Sequence, residues 1–126
     1  MKITAQRPPI TPARVQAERN RRLAEGFDYD FGDARGVHRI ATTAQDMAGW
    51  DEVTQWSGAM IAKGTPDATL TIATDTGPAT VTALEWQDLL AAATAFRQPI
   101  WQASFALQAM DPIPQDYDDN AHWVVK

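Results

Sequence analysis

The sequence predicts an α+β fold: a small antiparallel sheet of two hairpins packed against two longer helices, with a short N-terminal helix and extended terminal arms. Three observations predict it. Apolar residues alternate with period two near residues 27–31 and 68–74; they recur at helical spacing across 44–63 and 83–110; and prolines crowd both ends, at Pro8, Pro9 and Pro12 and again at Pro112 and Pro114. A chain of 126 residues with 44% hydrophobic and 21% charged side chains has the size and composition of one soluble globular domain. The expected division is an extended N-terminal arm over residues 1–12, a single α+β domain over 13–110 and an acidic C-terminal arm over 111–126.

The elements follow in order. Pro8, Pro9 and Pro12 remove amide donors and hold residues 1–12 extended. Thr11 is a candidate N-cap with Pro12 at the first helical position, residues 13–25 are rich in helix formers, and Gly26 is a stop. This first helix offers only Val15, Leu23 and the stems of Arg19 and Arg22 as apolar positions, so it should lie on the surface. Phe27-Asp28-Tyr29-Asp30-Phe31 alternates aromatic with acid, Gly32-Asp33-Ala34-Arg35-Gly36 is a turn, and residues 37–42 return as the antiparallel partner. Thr43 and Asp46 form a capping-box pattern ahead of a second helix over 44–63, which carries Met47, Trp50, Val53, Trp56, Met60 and Ile61.

Thr65-Pro66-Asp67 breaks that helix, and residues 68–74 form a strand around Leu70 and Ile72 with β-branched threonines between. A turn over 75–78 leads to a short strand over 79–81. Thr82 and Glu85 then repeat the capping-box spacing. From there Trp86, Leu89, Leu90, Ala93, Phe96, Ile100, Ala103 and Leu107 keep one helical face straight through Pro99 to about residue 110. Asp111-Pro112-Ile113-Pro114 ends the helix. The tail is acidic and then apolar at Trp123-Val124-Val125, the composition of an arm that docks onto something.

Charge is unevenly spread. Residues 1–25 carry Lys2, Arg7, Arg14, Arg19, Arg21 and Arg22 against Glu18 and Glu25, a net of +4 in a chain whose total is −5, and residues 111–126 carry a net of −3. The acidic body would repel phosphate and no aromatics interleave with the early arginines, so no nucleic acid partner is expected. Opposite potentials at the two ends instead suit a basic arm of one copy meeting an acidic surface of a neighbour. No apolar run approaches ~18 residues and the first residues lack an apolar secretion core, so neither membrane spanning nor ordinary export is expected.

Catalytic patterns are sparse. The absence of cysteine from the sequence removes thiolate nucleophiles, cysteine-ligated metals and disulfides. Asp28, Asp30 and Asp33 resemble the opening of a calcium loop, but glycine falls fifth and no glutamate stands at the twelfth place, so they are expected to be the wet face of a strand. Asp116, Asp118 and Asp119 are expected to be a solvated acidic tail. His38 and His122 are expected to be hydrogen-bonded structural histidines. Ser57 and Ser104 lie in no nucleophile elbow, and no glycine-rich phosphate loop occurs. A glycan-cleaving enzyme would need carboxylates facing each other across a cleft, whereas Glu85 and Asp88 share one helical turn. Trp50, Trp56, Trp86 and Trp101 are expected to pack. Trp123, on a tail, is expected to anchor a partner.

Three segments carry a resemblance. Glu18-Arg19-Asn20-Arg21-Arg22-Leu23-Ala24-Glu25-Gly26-Phe27 leads into a strand; Gly36-Val37-His38-Arg39-Ile40-Ala41-Thr42-Thr43-Ala44-Gln45-Asp46-Met47 leads into the second helix; Val81-Thr82-Ala83-Leu84-Glu85-Trp86-Gln87-Asp88-Leu89 opens the long one. Over residues 18–110 the chain resembles a domain family of tailed phages and prophages encoded beside, or fused to, tail-fibre and tail-fibre-assembly proteins. It departs from that family in the aliphatic middle strand, Leu70-Thr71-Ile72-Ala73-Thr74, and at Pro99.

The resemblance implies a non-enzymatic structural component of the tail tip, baseplate or fibre-attachment region of a virion, made in the host bacterial cytoplasm. Its expected partners are other phage tail proteins and copies of itself, gripped by the arms through Arg7, Pro8, Pro9, Ile10, Tyr117, Trp123 and Val124. No catalytic residue, cofactor, metal, membrane or small-molecule substrate is expected. The alternative is a tail-fibre assembly chaperone absent from the mature particle.

Overall fold

The computed structural model describes residues 7–124 of the chain. The elements run α1 (Pro12–Glu25), β1 (Phe27–Asp30), β2 (Val37–Ile40), α2 (Ala44–Ala62), β3 (Thr69–Thr74), β4 (Gly77–Thr82) and α3 (Ala83–Gln108), followed by a single 3-10 turn, Asn120–His122. The fold is α+β with two antiparallel hairpins, as the alternation predicts; each hairpin keeps its own two-stranded ladder, β1 with β2 and β3 with β4.

Local chemistry explains the boundaries. Thr11 is the N-cap of α1 in extended conformation with Pro12 behind it, although its side chain caps nothing. Gly26 closes α1 with φ 68°, and a side chain there would collide with the Ile40 carbonyl oxygen, a Cβ lying 2.0 Å from it. Only glycine lets β1 start against β2 directly after the helix. Both capping boxes form: Asp46 N–H donates to Thr43 Oγ1 at 3.1 Å and Thr43 N–H to Asp46 Oδ2 at 3.0 Å, while Glu85 N–H donates to Thr82 Oγ1 at 3.0 Å and Thr82 N–H to Glu85 Oε1 at 2.9 Å. The returning strand β4 is longer than the sequence suggests and includes Pro78, which sits opposite Ala73 where its missing N–H would point away from β3.

α3 is the spine, unbroken through Pro99. Its first half holds one apolar cluster, in which Trp86 and Leu89 pack with Ile40 and Val81 under a shell that includes Tyr29, Phe31, Trp50 and Ile72. Its second half holds another, where Ile100, Ala103 and Leu107 meet Val15 and Leu23 of α1. Phe27 and Phe96, with ring centroids 5.4 Å apart, join the two.

α1 lies on the surface as expected, mostly exposed, and packs through the few positions named for it. Val15 and Leu23 are fully buried, and between them Arg19 lays its guanidinium 4.2 Å from the Trp101 ring and donates to Ser104 Oγ at 3.5 Å. Two apolar residues on one stripe are enough when a cation–aromatic stack extends the stripe.

Candidate functional site

The described terminal stretches do not reach outward. Ile10, Tyr117 and Trp123 are only 8%, 9% and 4% exposed, and all three belong to the cluster on the second half of α3, together with Ile113. These three expected partner-binding residues are therefore corrected to residues of this chain's own core. Trp123 donates its indole N–H to the Tyr117 carbonyl at 2.7 Å under the Arg22 guanidinium, 5.0 Å from its ring. Arg22 also donates to the Asp118 carbonyl at 3.0 Å and to Asn120 Oδ1 at 2.9 Å, and Arg14 covers Tyr117 at 5.3 Å. Two α1 arginines thus hold the tail through a backbone carbonyl, an amide oxygen and two aromatic rings rather than through its carboxylates. Arg7, Pro8, Pro9 and Val124 are exposed, and Pro8 accepts a bond from Gln115 at 3.2 Å. Residues 1–6 of the predicted arm, and 125–126 of the tail, lie outside the described residues.

The groups singled out for chemistry are tied into the fold. His38 Nδ1 bonds Thr74 Oγ1 at 2.8 Å and Thr76 Oγ1 at 3.2 Å, which stitches the first hairpin to the second. His122 Nε2 lies 2.9 Å from Asp116 Oδ1. Asp28 pairs with Arg39 at 3.2 Å, Asp30 accepts the Gly32 amide at 2.8 Å, and Asp33 pairs with Arg35 at 2.6 Å. Arg35 reaches further, donating to the Thr80 carbonyl at 2.9 Å and to Glu85 Oε1 at 3.0 Å, with Phe31 under it at 4.5 Å. Its hydrogen bonds and charge hold Asp33 down to about 2 and lower Glu85. Burial, and then the charges of Asp88 and Glu85, raise Tyr29. Ser57 and Ser104 are buried; Ser57 donates to the Ala83 carbonyl at 2.6 Å and Gln87 donates to it at 2.9 Å.

What remains open is a cleft between the hairpins. Beside the His38–Thr74 bond, the turn after β3 meets β2, where the Asp75 amide donates to the Arg39 carbonyl at 3.0 Å and the Arg39 amide to Thr76 Oγ1 at 3.1 Å. Away from that contact lies a cavity of about 460 Å³, within the usual range for a binding pocket. Ile40 and Ala41 form one wall, residues 71–75 the other, and Gln45, Gly49, Trp50 and Val53 of α2 a third, with Trp86 and Leu89 of α3 beneath. The two indoles meet edge to face at 5.0 Å, and Trp86 spends its N–H on Thr54 Oγ1 at 3.1 Å. Of the lining carboxylates, Asp46 is held in the α2 cap and Asp75 is exposed.

One wall is a strand edge. The Ala83 amide donates to Ala68 at 2.9 Å, so the bonded pairs of the β3–β4 ladder are 68/83, 70/81, 72/79 and 74/77. The backbone groups of Thr71 and Ala73 consequently face away from β4, into the cleft. Trp50 and Trp86 pack as expected: Trp86 is buried, and Trp50, partly buried against it, also faces the cleft. Among the described residues no cluster of three His, Asp or Glu side chains is placed to hold a metal ion, and no helix is long and apolar enough to cross a membrane.

Fold and cleft together define a small α+β domain that presents a free strand edge beside an aromatic floor. The chain belongs to the family described as a domain of unknown function (DUF4376), which matches residues 6–121, nearly its whole length. No curated protein and no solved structure matches it.

Proposed function

We propose that this chain is a non-enzymatic structural component of a tailed phage or phage-like particle, in the tail tip, baseplate or fibre-attachment region, and that it works by holding neighbouring polypeptides in the cleft between its hairpins. The cleft is the observation that carries the reading. Its floor is apolar and aromatic, the kind of surface that anchors a partner side chain. Its edge offers unshared backbone donors and acceptors, the feature that captures an extended polypeptide by strand addition. The tryptophan N–H and one carboxylate of the lining already serve the fold, which leaves a surface suited to recognition. The location in a virion rests on the sequence resemblance.

Binding moves to the cleft because Ile10, Tyr117 and Trp123, the apolar residues expected to grip a partner, are buried in this chain's own core. The test is mass spectrometry of purified particles from cells carrying the chain, alongside Trp50→Ala and Thr71→Pro variants. The chain should be a stoichiometric particle component, and both variants should lower its incorporation. Its absence from purified particles, with recovery only on unassembled fibres, would replace this reading with the assembly chaperone.

A further inference from the structure

We propose that the cleft receives an extended segment of another polypeptide in which apolar and basic side chains alternate, added as a strand along the free edge of β3. The inference rests on the reading of the cleft as a recognition surface and names the chemistry of its partner. Three observations lead to it.

The first is that the two edges of the second hairpin differ. The outward backbone positions of β4 are 78, 80 and 82. Pro78 has no N–H, the Thr80 carbonyl accepts from Arg35 at 2.9 Å, and the Thr82 amide donates to Glu85 of its own capping box at 2.9 Å. That edge is blunted in the way that keeps strands from pairing. On β3 the outward N–H and C=O groups of Thr71 and Ala73 have no partner among the described residues. β2 offers no substitute at Arg39, whose amide and carbonyl are taken by Thr76 and Asp75. Four backbone groups in strand geometry are what another backbone satisfies, which favours a polypeptide over a small molecule.

The second is what an added strand meets on each face. Leu70 and Ile72 are half-buried while Thr71 and Ala73 are exposed, the alternation of a strand with one face on the floor. A strand paired at Thr71 and Ala73 continues that alternation. Its inward side chains lie beside Ile72 over Trp50 and Trp86, and its outward ones lie beside Thr71 and Ala73, close to Asp75. The inward positions therefore call for apolar side chains.

The third is charge. Residues 26–110 carry ten acidic against four basic side chains, a net of −6. Arg35 and Arg39 are spent on Asp33, Glu85 and Asp28, and neither Lys63 nor Arg97 lines the cleft. The lining carboxylates are Asp46 and Asp75. Asp46 is engaged in the cap of α2, whereas Asp75 is exposed and pairs with no basic side chain among the described residues. The rim thus carries an uncompensated negative charge on the side where the outward side chains emerge, and basic residues there supply its complement.

The test is the binding of three blocked seven-residue peptides to the full chain: one alternates lysine with valine, one serine with valine and one glutamate with valine. At low salt the lysine peptide should bind with a dissociation constant on the order of 100 µM and at least about tenfold more tightly than the glutamate peptide. It should shift the amide signals of Thr71 and Ala73 and the indole N–H signal of Trp50. Asp75→Asn should weaken it about threefold and leave the serine peptide unchanged, and ~1 M salt should shrink the preference for lysine. Thr71→Pro removes an N–H that the β3–β4 ladder does not use, so the hairpin survives, which circular dichroism checks, and should abolish binding of the lysine and serine peptides alike. Equal binding of the lysine and glutamate peptides, or indifference to Asp75→Asn, overturns the basic partner and leaves the cleft as a recognition surface. A Trp50 shift that survives Thr71→Pro overturns strand addition. Binding of none of the peptides overturns the proposal outright; the reading of the cleft then stands if Trp50→Ala still lowers incorporation into particles, and falls with the proposal if incorporation is unchanged.

Discussion

Replacing Trp123 by alanine separates a tail that is part of the core from a tail that waits for a partner. The indole is 4% exposed, packs with Val15, Leu23, Ile113 and Tyr117, donates to the Tyr117 carbonyl at 2.7 Å and lies under Arg22. Truncating a buried tryptophan costs about 3–5 kcal/mol, and a carbonyl left without its donor and a lost cation–π contact place this site at the upper end, about 4–5 kcal/mol. Unfolding entropy of ~2.1 cal/mol/K per residue amounts to about 0.26 kcal/mol/K for a chain of this length, so Tm should fall by roughly 15 °C or more. Urea and thermal unfolding followed by far-UV circular dichroism measure it. Val124→Ala, one residue further and 62% exposed, is the control and should stay within about 0.5 kcal/mol of the parent. A Trp123→Ala loss below about 1 kcal/mol would refute the docking of the tail and restore it as a free arm.

Three further outcomes follow from the same geometry. Gly26→Ala should destabilise by more than about 3 kcal/mol or prevent folding, because its Cβ would lie 2.0 Å from the Ile40 oxygen, whereas Gly36→Ala, with φ 72° and nothing within 4 Å, should cost only about 1–2 kcal/mol; denaturation of the pair checks the contrast. Ser57→Ala removes a buried hydroxyl that links the Ala83 carbonyl to Gln87 and should cost about 1–3 kcal/mol, while Ser57→Thr should recover the bonds only if the methyl fits, a point settled by comparing their urea midpoints. Arg35 keeps Asp33 and Glu85 ionised in the native state at pH values where the unfolded chain has protonated them. The stability they contribute is therefore present above about pH 4 and disappears as pH falls toward about 2. Unfolding series from pH 5 to 2 should show a shallower acid loss for Arg35→Ala than for the parent, and identical slopes would contradict the assignment.

Most of the fold was legible because it is written in local chemistry. The Thr43/Asp46 and Thr82/Glu85 pairs announce two helix starts, the aromatic–acid alternation of residues 27–31 announces a strand, and Gly26 announces the break between α1 and β1. The tail was not legible. Ile113, Tyr117 and Trp123 are spaced four and six apart among acids, with no period that names a partner surface, and an apolar residue without a period serves equally well inside its own chain or on another. The signal that distinguishes the two is long-range: Arg14 and Arg22 stand about two turns apart on one side of α1 and cover Tyr117 and Trp123 in turn. The cleft was missed for a related reason. A hairpin shows its strands in sequence, but which of its two edges stays unpaired depends on where the other hairpin lands, and that is decided by His38, Arg39 and Asp75 meeting across 36 residues.

The two clusters on α3 divide the domain into two differently built halves. The second half of the helix gathers apolar side chains from both ends of the described chain, so residues 10–23 and 113–123 close around one seam and stabilise the domain together. The first half supports two short hairpins that share its apolar cluster and meet through a few hydrogen bonds from Arg35, His38 and Arg39. Thr71, Ala73 and Asp75 are exposed on that half, and substitutions there remove little buried surface. A domain arranged this way can alter the edge of β3 and the rim of the cleft without touching the seam that keeps it folded. On the proposed reading partner choice changes at the hairpins, while Ile10, Ile113, Tyr117 and Trp123, which look free in the sequence, are held by packing.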